Sequence, residues 1–307
     1  MIPTQPARPR RCTLAVPGSS AKMMTKAAAL SVDQVFLDLE DAVAVDAKES
    51  ARASVIDALK DLSWHAQTLS IRINDVRTPW CHDDIIQVVT QAGERLDTII
   101  LTKAKSPGDV AFVHLLLDQL EGKLGLSKRI GIECLIEEVE GLMRVEEIAA
   151  SSDRIETLIF GVGDYAASQH MPLASVGGTA DYPPDLWHYP RFKLTMASRA
   201  NGIAPMDGPF ADFQDTRSLE LEAGRAHTLG DEPVVLPVLL ALLRGHAAPR
   251  SRLVSQAGAR LWHGPGCRQR ADGPAKARGR VAAAAAAGWL RRQGRRALGV
   301  LCDVWSG

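Results

Sequence analysis

The chain has no CxxC pair, no long apolar run and no histidine spacing of the metal-binding kind. Its five cysteines (Cys12, Cys81, Cys134, Cys267 and Cys302) lie far apart. An odd count without a disulfide framework implies a reducing, cytoplasmic setting in which the thiols are idle. No apolar stretch approaches the roughly 18 residues of a spanning helix, so no membrane partner is expected. The N-terminus, MIPTQPARPRR, is basic and proline-rich and lacks the apolar segment of a secretory signal; residues 1–10 read as a flexible arm. His82, His170, His188 and His227 are scattered, which argues against a Cys/His metal site, and no Ser-His-Asp arrangement is legible.

What is present is an ordinary globular composition, 46% apolar and 23% charged over 307 residues, enough for one large α/β barrel or two smaller domains. Six short apolar runs each carry a charged residue near their end: Glu40 and Asp41, Arg72, Lys103, Glu137, Asp164 and Asp207. Strands are expected at 12–16, 34–39, 68–73, 97–102, 130–135, 156–160 and 203–206. Most are continuous apolar runs, the pattern of strands buried on both faces of a parallel sheet. Helices are expected at 20–30, 47–61, 82–94, 108–121, 138–150, 188–200 and 216–229, the last capped by Asp215 and stopped by Gly230. This alternation predicts a (β/α)8 TIM barrel over residues 11–230, in which the charged strand ends form an active-site rim. Residues 168–190, rich in Pro, Gly and aromatics, read as a substrate-covering loop.

The zero net charge conceals a split. Residues 231–307 hold 12 Arg and one Lys against four acids, a net +9; the rest of the chain is −9. That tail has no Ile, Phe, Tyr, Met, Thr or Asn and contains six consecutive alanines at 282–287. It reads as a nucleic-acid-binding extension, a helical appendage or, in the reading preferred here, the product of a shifted frame in GC-rich DNA. Seven β/α units precede it, and VVLPVLLALL at 234–243 is a poor eighth strand because Pro237 removes a ladder donor.

Glu137 and Asp164, at the ends of neighbouring strands, form the sharpest pair. Two carboxylates there suit a hard cation such as Mg²⁺ (or Mn²⁺) that keeps further positions for water and ligand oxygens. The plainer alternatives are the acidic first turn of a helix for Glu137 and an N-cap after Gly161 and Gly163 for Asp164. Glu40 and Asp41 either hold metal-bound waters or form a solvated acidic turn. Arg72 lies between Ile71 and Ile73; its planar fork suits a substrate carboxylate, with a salt bridge to Asp38 or Glu40 as the alternative. Lys103 either does similar work or, in the reading preferred here, is a surface lysine. Gly18, Ser19 and Ser20 lead into a helix N-terminus with Arg11 and Lys22 nearby, an anion site fit for a phosphate-bearing ligand. Gly163 is counted with Arg11, Ser19 and Lys22 among the substrate-binding positions.

Together, RRCTLAVPGSSAKMMTKAA, VFLDLEDAVAVDAKESAR, SIRIN, IECLIEEVEGL, LIFGVGDYAAS and MDGPFADFQD resemble the citrate lyase β-subunit-like (HpcH/HpaI aldolase) family. Within it, GVGDYAASQ and WHYPRFKLTMASRANGI are most similar to L-malyl-CoA/β-methylmalyl-CoA lyases. The resemblance runs from about residue 11 to 230. It implies a barrel of the phosphoenolpyruvate/pyruvate-domain type and a Mg²⁺-dependent lyase acting on a 3-hydroxyacyl-CoA such as L-malyl-CoA, giving acetyl-CoA and glyoxylate. Citramalyl-CoA cleavage, malyl-CoA thioester hydrolysis and an inactive barrel with a nucleic-acid-contacting tail are the alternatives. It also implies metal ligation by Glu137 and Asp164, substrate binding by Arg72, an acidic pair Glu40 and Asp41 near the metal waters, and coenzyme A near Arg11 and Lys22. A homo-oligomer, trimer or hexamer, follows from the same resemblance. Family members have an eighth strand with an Ile-His-Pro-like end and a lid supplying an acid to the neighbouring subunit. Neither is recognisable after Gly230.

Overall fold

In this computed structural model, residues 8–10, 12–171, 186–209 and 215–229 are described. The strands are β1 (Thr13–Pro17), β2 (Gln34–Asp38), β3 (Thr68–Arg72), β4 (Thr98–Leu101), β5 (Gly131–Ile136), β6 (Ile155–Phe160) and β7 (Ala204–Met206). The helices are α1 (Ala21–Ala28), α2 (Lys48–Asp61), α3 (Cys81–Ala92), α4 (Pro107–Leu124), α5 (Val139–Met143), α6 (Val145–Ala149), α7 (Val162–Ser168), α8 (His188–Ala200) and α9 (Thr216–Leu229). All strand pairs are parallel and follow chain order from β1 to β7, a sheet that curls into an open barrel with helices outside. Among the described residues β1 and β7 are its edges. Gly230 and residues 231–307, with the expected eighth unit, lie outside the described residues, as do Arg11 and residues 172–185 of the expected covering loop.

All seven expected strands form. Two expectations about helices are corrected. The single helix over 138–150 is two short ones, broken at Arg144, whose backbone (φ −114°, ψ 18°) leaves the helical region. Helix α7 has no counterpart among the expected helices, because its glycine-rich start masks any helical signal. Asp215 caps α9 as expected, accepting from the Ser218 N–H at 3.0 Å.

Side-chain alternation along the strands divides the interior. Outward residues such as Leu37, Ile71, Ile99, Leu101, Cys134, Ile136 and Phe160 join the large core beneath the helices. Inward residues form three levels. The floor is polar: Gln34 Nε2 donates to Ser70 Oγ (2.7 Å) and Glu133 Oε1 (2.9 Å), and Thr98 Oγ1 donates to Glu133 Oε1 (2.8 Å). Arg10 closes this floor through Glu133 (2.9 Å) and Glu156 (2.5 Å), and Arg8 reaches Asp97 (3.0 Å). The C-terminal end of the arm is therefore tied to the barrel. Above the floor, Phe36, Ile100, Leu135, Ile159 and Met206 form a separate apolar layer. The charged rim stands on that layer. Of the described residues, no helix is long and apolar enough to cross a membrane.

Candidate active site

The rim begins where β2, β3, β4 and β5 stop. Asp38, the last residue of β2, pairs in register with Arg72, the last of β3. Arg72 Nε and Nη2 donate to the two Asp38 carboxylate oxygens at 2.7 and 2.6 Å, and the guanidinium lies 5.7 Å from the centre of the Phe36 ring. Burial alone would push the Asp38 carboxyl up. The Arg72 charge and the N–H groups of Glu40 and Ala42 outweigh burial and hold it below the ordinary carboxylate value. Arg72 Nη1 stands 3.5 Å from Glu40 Oε2, so the salt-bridge alternative is realised with both acids and the arginine still faces the rim.

Glu40 is buried and its backbone is anchored from outside. Lys48 Nζ donates to the carbonyls of Leu39 (2.9 Å) and Glu40 (2.7 Å). Glu40, Asp41 and Asp164 each present a carboxylate oxygen, and these oxygens lie within 4.8 Å of one another. Asp164 sits in the first turn of α7, whose N-cap is Gly161, so it is not itself the cap. Glu137 follows β5 directly and is buried. A Cβ on Gly161 would lie 2.7 Å from Glu137 Oε2, so only glycine lets the next strand end pass this carboxyl. Burial, reinforced by the charges of Glu40 and Asp164 and opposed by Arg72 and Lys103, pushes Glu137 up to about 8.

Lys103 is not the surface residue the sequence suggested. Its Nζ lies 2.9 Å from Asp164 Oδ2 and 3.8 Å from Asp41 Oδ1, and it forms a short ion pair with Glu40. Its N–H donates to Glu137 Oε1 at 3.0 Å. The signal was available: TIILTK ends like the other five charged runs, with opposite sign to the acids it meets.

The sequence profile of the HpcH/HpaI aldolase/citrate lyase family matches residues 11–235. The chain belongs to the HpcH/HpaI aldolase/citrate lyase family. It is 37% identical over 291 residues to an L-malyl-CoA/β-methylmalyl-CoA lyase of Cereibacter sphaeroides, covering 91% of this chain and 92% of that one. It is 34% identical over 244 residues to a malyl-CoA/β-methylmalyl-CoA/citramalyl-CoA lyase of Chloroflexus aurantiacus, covering 73% and 70%. A structure of the citrate lyase β subunit complexed with oxaloacetate and magnesium from M. tuberculosis superposes with a TM-score of 0.60 at 25% identity, covering 74% of this chain and 91% of that one. This chain is a carbon–carbon lyase of the HpcH/HpaI family. The profile stops at residue 235, whereas an alignment covering 91% of the chain necessarily extends into the basic tail.

The remaining expected positions among the described residues are Ser19, Lys22 and Gly163; Arg11 lies outside them. Ser19 and Lys22 lie at the start of α1 and are both exposed; between them Ser20 is the N-cap and accepts from the Met23 N–H at 3.4 Å. Gly163 is half-buried beside Asp164 in the first turn of α7.

Proposed function

We propose that this chain is a divalent-metal-dependent CoA-ester lyase that cleaves, or forms, the C–C bond of a 3-hydroxyacyl-CoA such as L-malyl-CoA. The carrying observation is the convergence of the Glu40, Asp41 and Asp164 oxygens within 4.8 Å on a rim that also holds Glu137 and Arg72. An all-carboxylate donor set fits a hard cation and does not fit a thiophilic one. Glu137 and Asp164 would hold Mg²⁺, with Glu40 and Asp41 placed for its waters. When bound, the cation supplies positive charge to the oxo-acid oxygens as the bond breaks.

The rest belongs to this chain's side chains. Arg72, held by Asp38 through Nε and Nη2, turns its Nη1 and its positive charge toward the carboxylate of the oxo-acid half. Ser19, Lys22 and the N-terminus of α1 offer donors and positive charge to the phosphates of coenzyme A. In cleavage, the substrate hydroxyl loses its proton and becomes the aldehyde carbonyl of glyoxylate. The bond to the thioester α-carbon breaks, its electron pair passes into the acetyl-CoA enolate, and the α-carbon then takes a proton. The polar floor and the apolar layer beneath the rim keep water away from the lower side of this site.

The test is cleavage of L-malyl-CoA by the full chain, with Mg²⁺ and with EDTA. Mg²⁺-dependent release of acetyl-CoA together with glyoxylate is expected. Turnover that persists in EDTA removes the metal, and malate with free CoA as products would mean thioester hydrolysis. Because the Chloroflexus relative is also named for citramalyl-CoA, that thioester belongs in the same panel. Arg72→Lys is expected to lower kcat/KM on the order of a hundredfold, since an ammonium cannot hold Asp38 through two N–H groups and face the substrate at the same time.

Glu137 adds a pH signature. With its carboxyl pushed up to about 8, the folded metal-free chain holds a proton that the unfolded chain releases near the ordinary 4.5. Metal-free stability therefore falls as pH rises between those values. Cation binding must expel that proton, so calorimetry at pH 7 in buffers of different protonation enthalpy is expected to read about one proton released, and almost none at about pH 9.5.

A further inference from the structure

Lys103 combines two features that its neighbours do not share. It is a non-glycine residue with φ of +49°, a left-handed conformation that L side chains disfavour. Its ammonium also lies among the same three carboxylates that converge on one point: paired with Glu40, 2.9 Å from Asp164 and 3.8 Å from Asp41. The backbone strain is held by surrounding structure: the Lys103 N–H is fixed to Glu137 and the next N–H, of Ala104, donates to the Leu135 carbonyl at 3.3 Å. Residues held in such strain by the surrounding structure cluster at functional sites.

We propose that the Lys103 ammonium is the built-in counter-ion of this cluster, and that Nζ competes with a divalent cation held at Asp164 and Glu137 for the negative charge of Asp164, Glu40 and Asp41. The proposal rests on the metal-dependent function above. Three like charges at this spacing repel unless a cation lies between them. Without metal the lysine supplies it and keeps the rim assembled. A lysine suits the task because its charge is compact and its four-carbon stem turns without moving the backbone. Arg72 is unsuited, since Asp38 holds it through both Nε and Nη2. Entry of a divalent ion then exchanges one positive charge for two and turns the ammonium out into the mouth of the barrel. There it adds to the Arg72 charge facing an anionic substrate, so cation binding precedes and strengthens binding of the oxo acid.

The experiment is a Mn²⁺ titration of the full chain, followed by electron paramagnetic resonance, for wild type and Lys103→Met. The variant is expected to bind Mn²⁺ about tenfold tighter or more, because no competing ammonium masks the site. Its metal-free Tm is expected to fall, and Mn²⁺ to raise that Tm by more than in wild type. Equal or weaker binding by K103M overturns the competition while leaving the metal-dependent function standing. Failure of wild type to bind Mn²⁺ overturns both. A second measurement needs no variant: acetylation of Lys103 by acetic anhydride, read by peptide mass spectrometry, is expected to rise several-fold when Mn²⁺ is added. Unchanged or reduced labelling overturns the proposal.

Discussion

Replacing Glu137 with glutamine, or Asp164 with asparagine, is expected to lower kcat/KM for L-malyl-CoA cleavage by about a thousandfold. Charge stabilisation by a metal is worth several kcal/mol, and about 4 kcal/mol corresponds to that factor. The two variants should differ in stability. The amide of E137Q keeps an oxygen for the Lys103 N–H, which is 3.0 Å from the native carboxylate, and the change removes a carboxyl whose ionisation the buried site opposes. The E137Q protein is therefore expected to melt no lower than wild type, and higher than it above about pH 8, where the native carboxyl is ionised. D164N removes the charge of one partner of the Lys103 ammonium, 2.9 Å away, and should lower the metal-free Tm slightly. Asp41→Asn, on the most exposed of the three converging acids, is expected to cost less activity than either. Steady-state assays at saturating Mg²⁺ and thermal melts at neutral and alkaline pH check these outcomes. Activity within about tenfold of wild type for both E137Q and D164N would sink the assignment of these two residues.

The strands were legible because burial on both faces demands continuous apolar runs, and a charge ending such a run is costly unless it meets a partner. That logic located Glu40, Arg72, Glu137 and Asp164 at one rim. The same logic applies to Lys103, whose ammonium ends a strand run and meets three carboxylates at this rim. The pairing of Arg72 with both Asp38 and Glu40 could be anticipated only as alternatives, since register between β2 and β3 is set by the whole sheet. The break at Arg144 was illegible for a different reason. Residues 138–150 carry an uninterrupted helical pattern, and the interruption comes from packing of two short helices against α8 and α4. Helix α7 was hidden by Gly161 and Gly163, and Gly161 is there because Glu137 leaves no room for a Cβ. One constraint on the site thus erased the local signal of the helix that carries Asp164.

Asp84→Ala is expected to destabilise the chain by about 3–5 kcal/mol, a large part of the roughly 5–15 kcal/mol that holds most domains folded. Asp84 lies in the first turn of α3 and is fully buried. One carboxylate oxygen accepts from Arg52 Nε and Nη2 of α2 at 3.0 and 2.9 Å. The other accepts from the Asn74 N–H at 3.0 Å and from Asn74 Nδ2 at 2.6 Å. Alanine leaves the buried Arg52 guanidinium without this carboxylate, and that uncompensated charge, more than lost attraction, sets the penalty. The damage should reach the rim as well. Asn74 Nδ2 also holds the Leu39 carbonyl at 3.0 Å, and Leu39 precedes Glu40. Urea unfolding is expected to show a lower midpoint with an unchanged slope, together with weaker Mg²⁺ binding. Removing both charges separates the two causes. Arg52→Met combined with Asp84→Leu leaves no unpaired buried ion and should be less destabilised than Asp84→Ala alone, while still failing to hold Asn74 and so still binding Mg²⁺ weakly. A double variant as unstable as D84A would instead place the energy in packing around Asp84, and a double variant with full Mg²⁺ affinity would disconnect Asn74 from the rim.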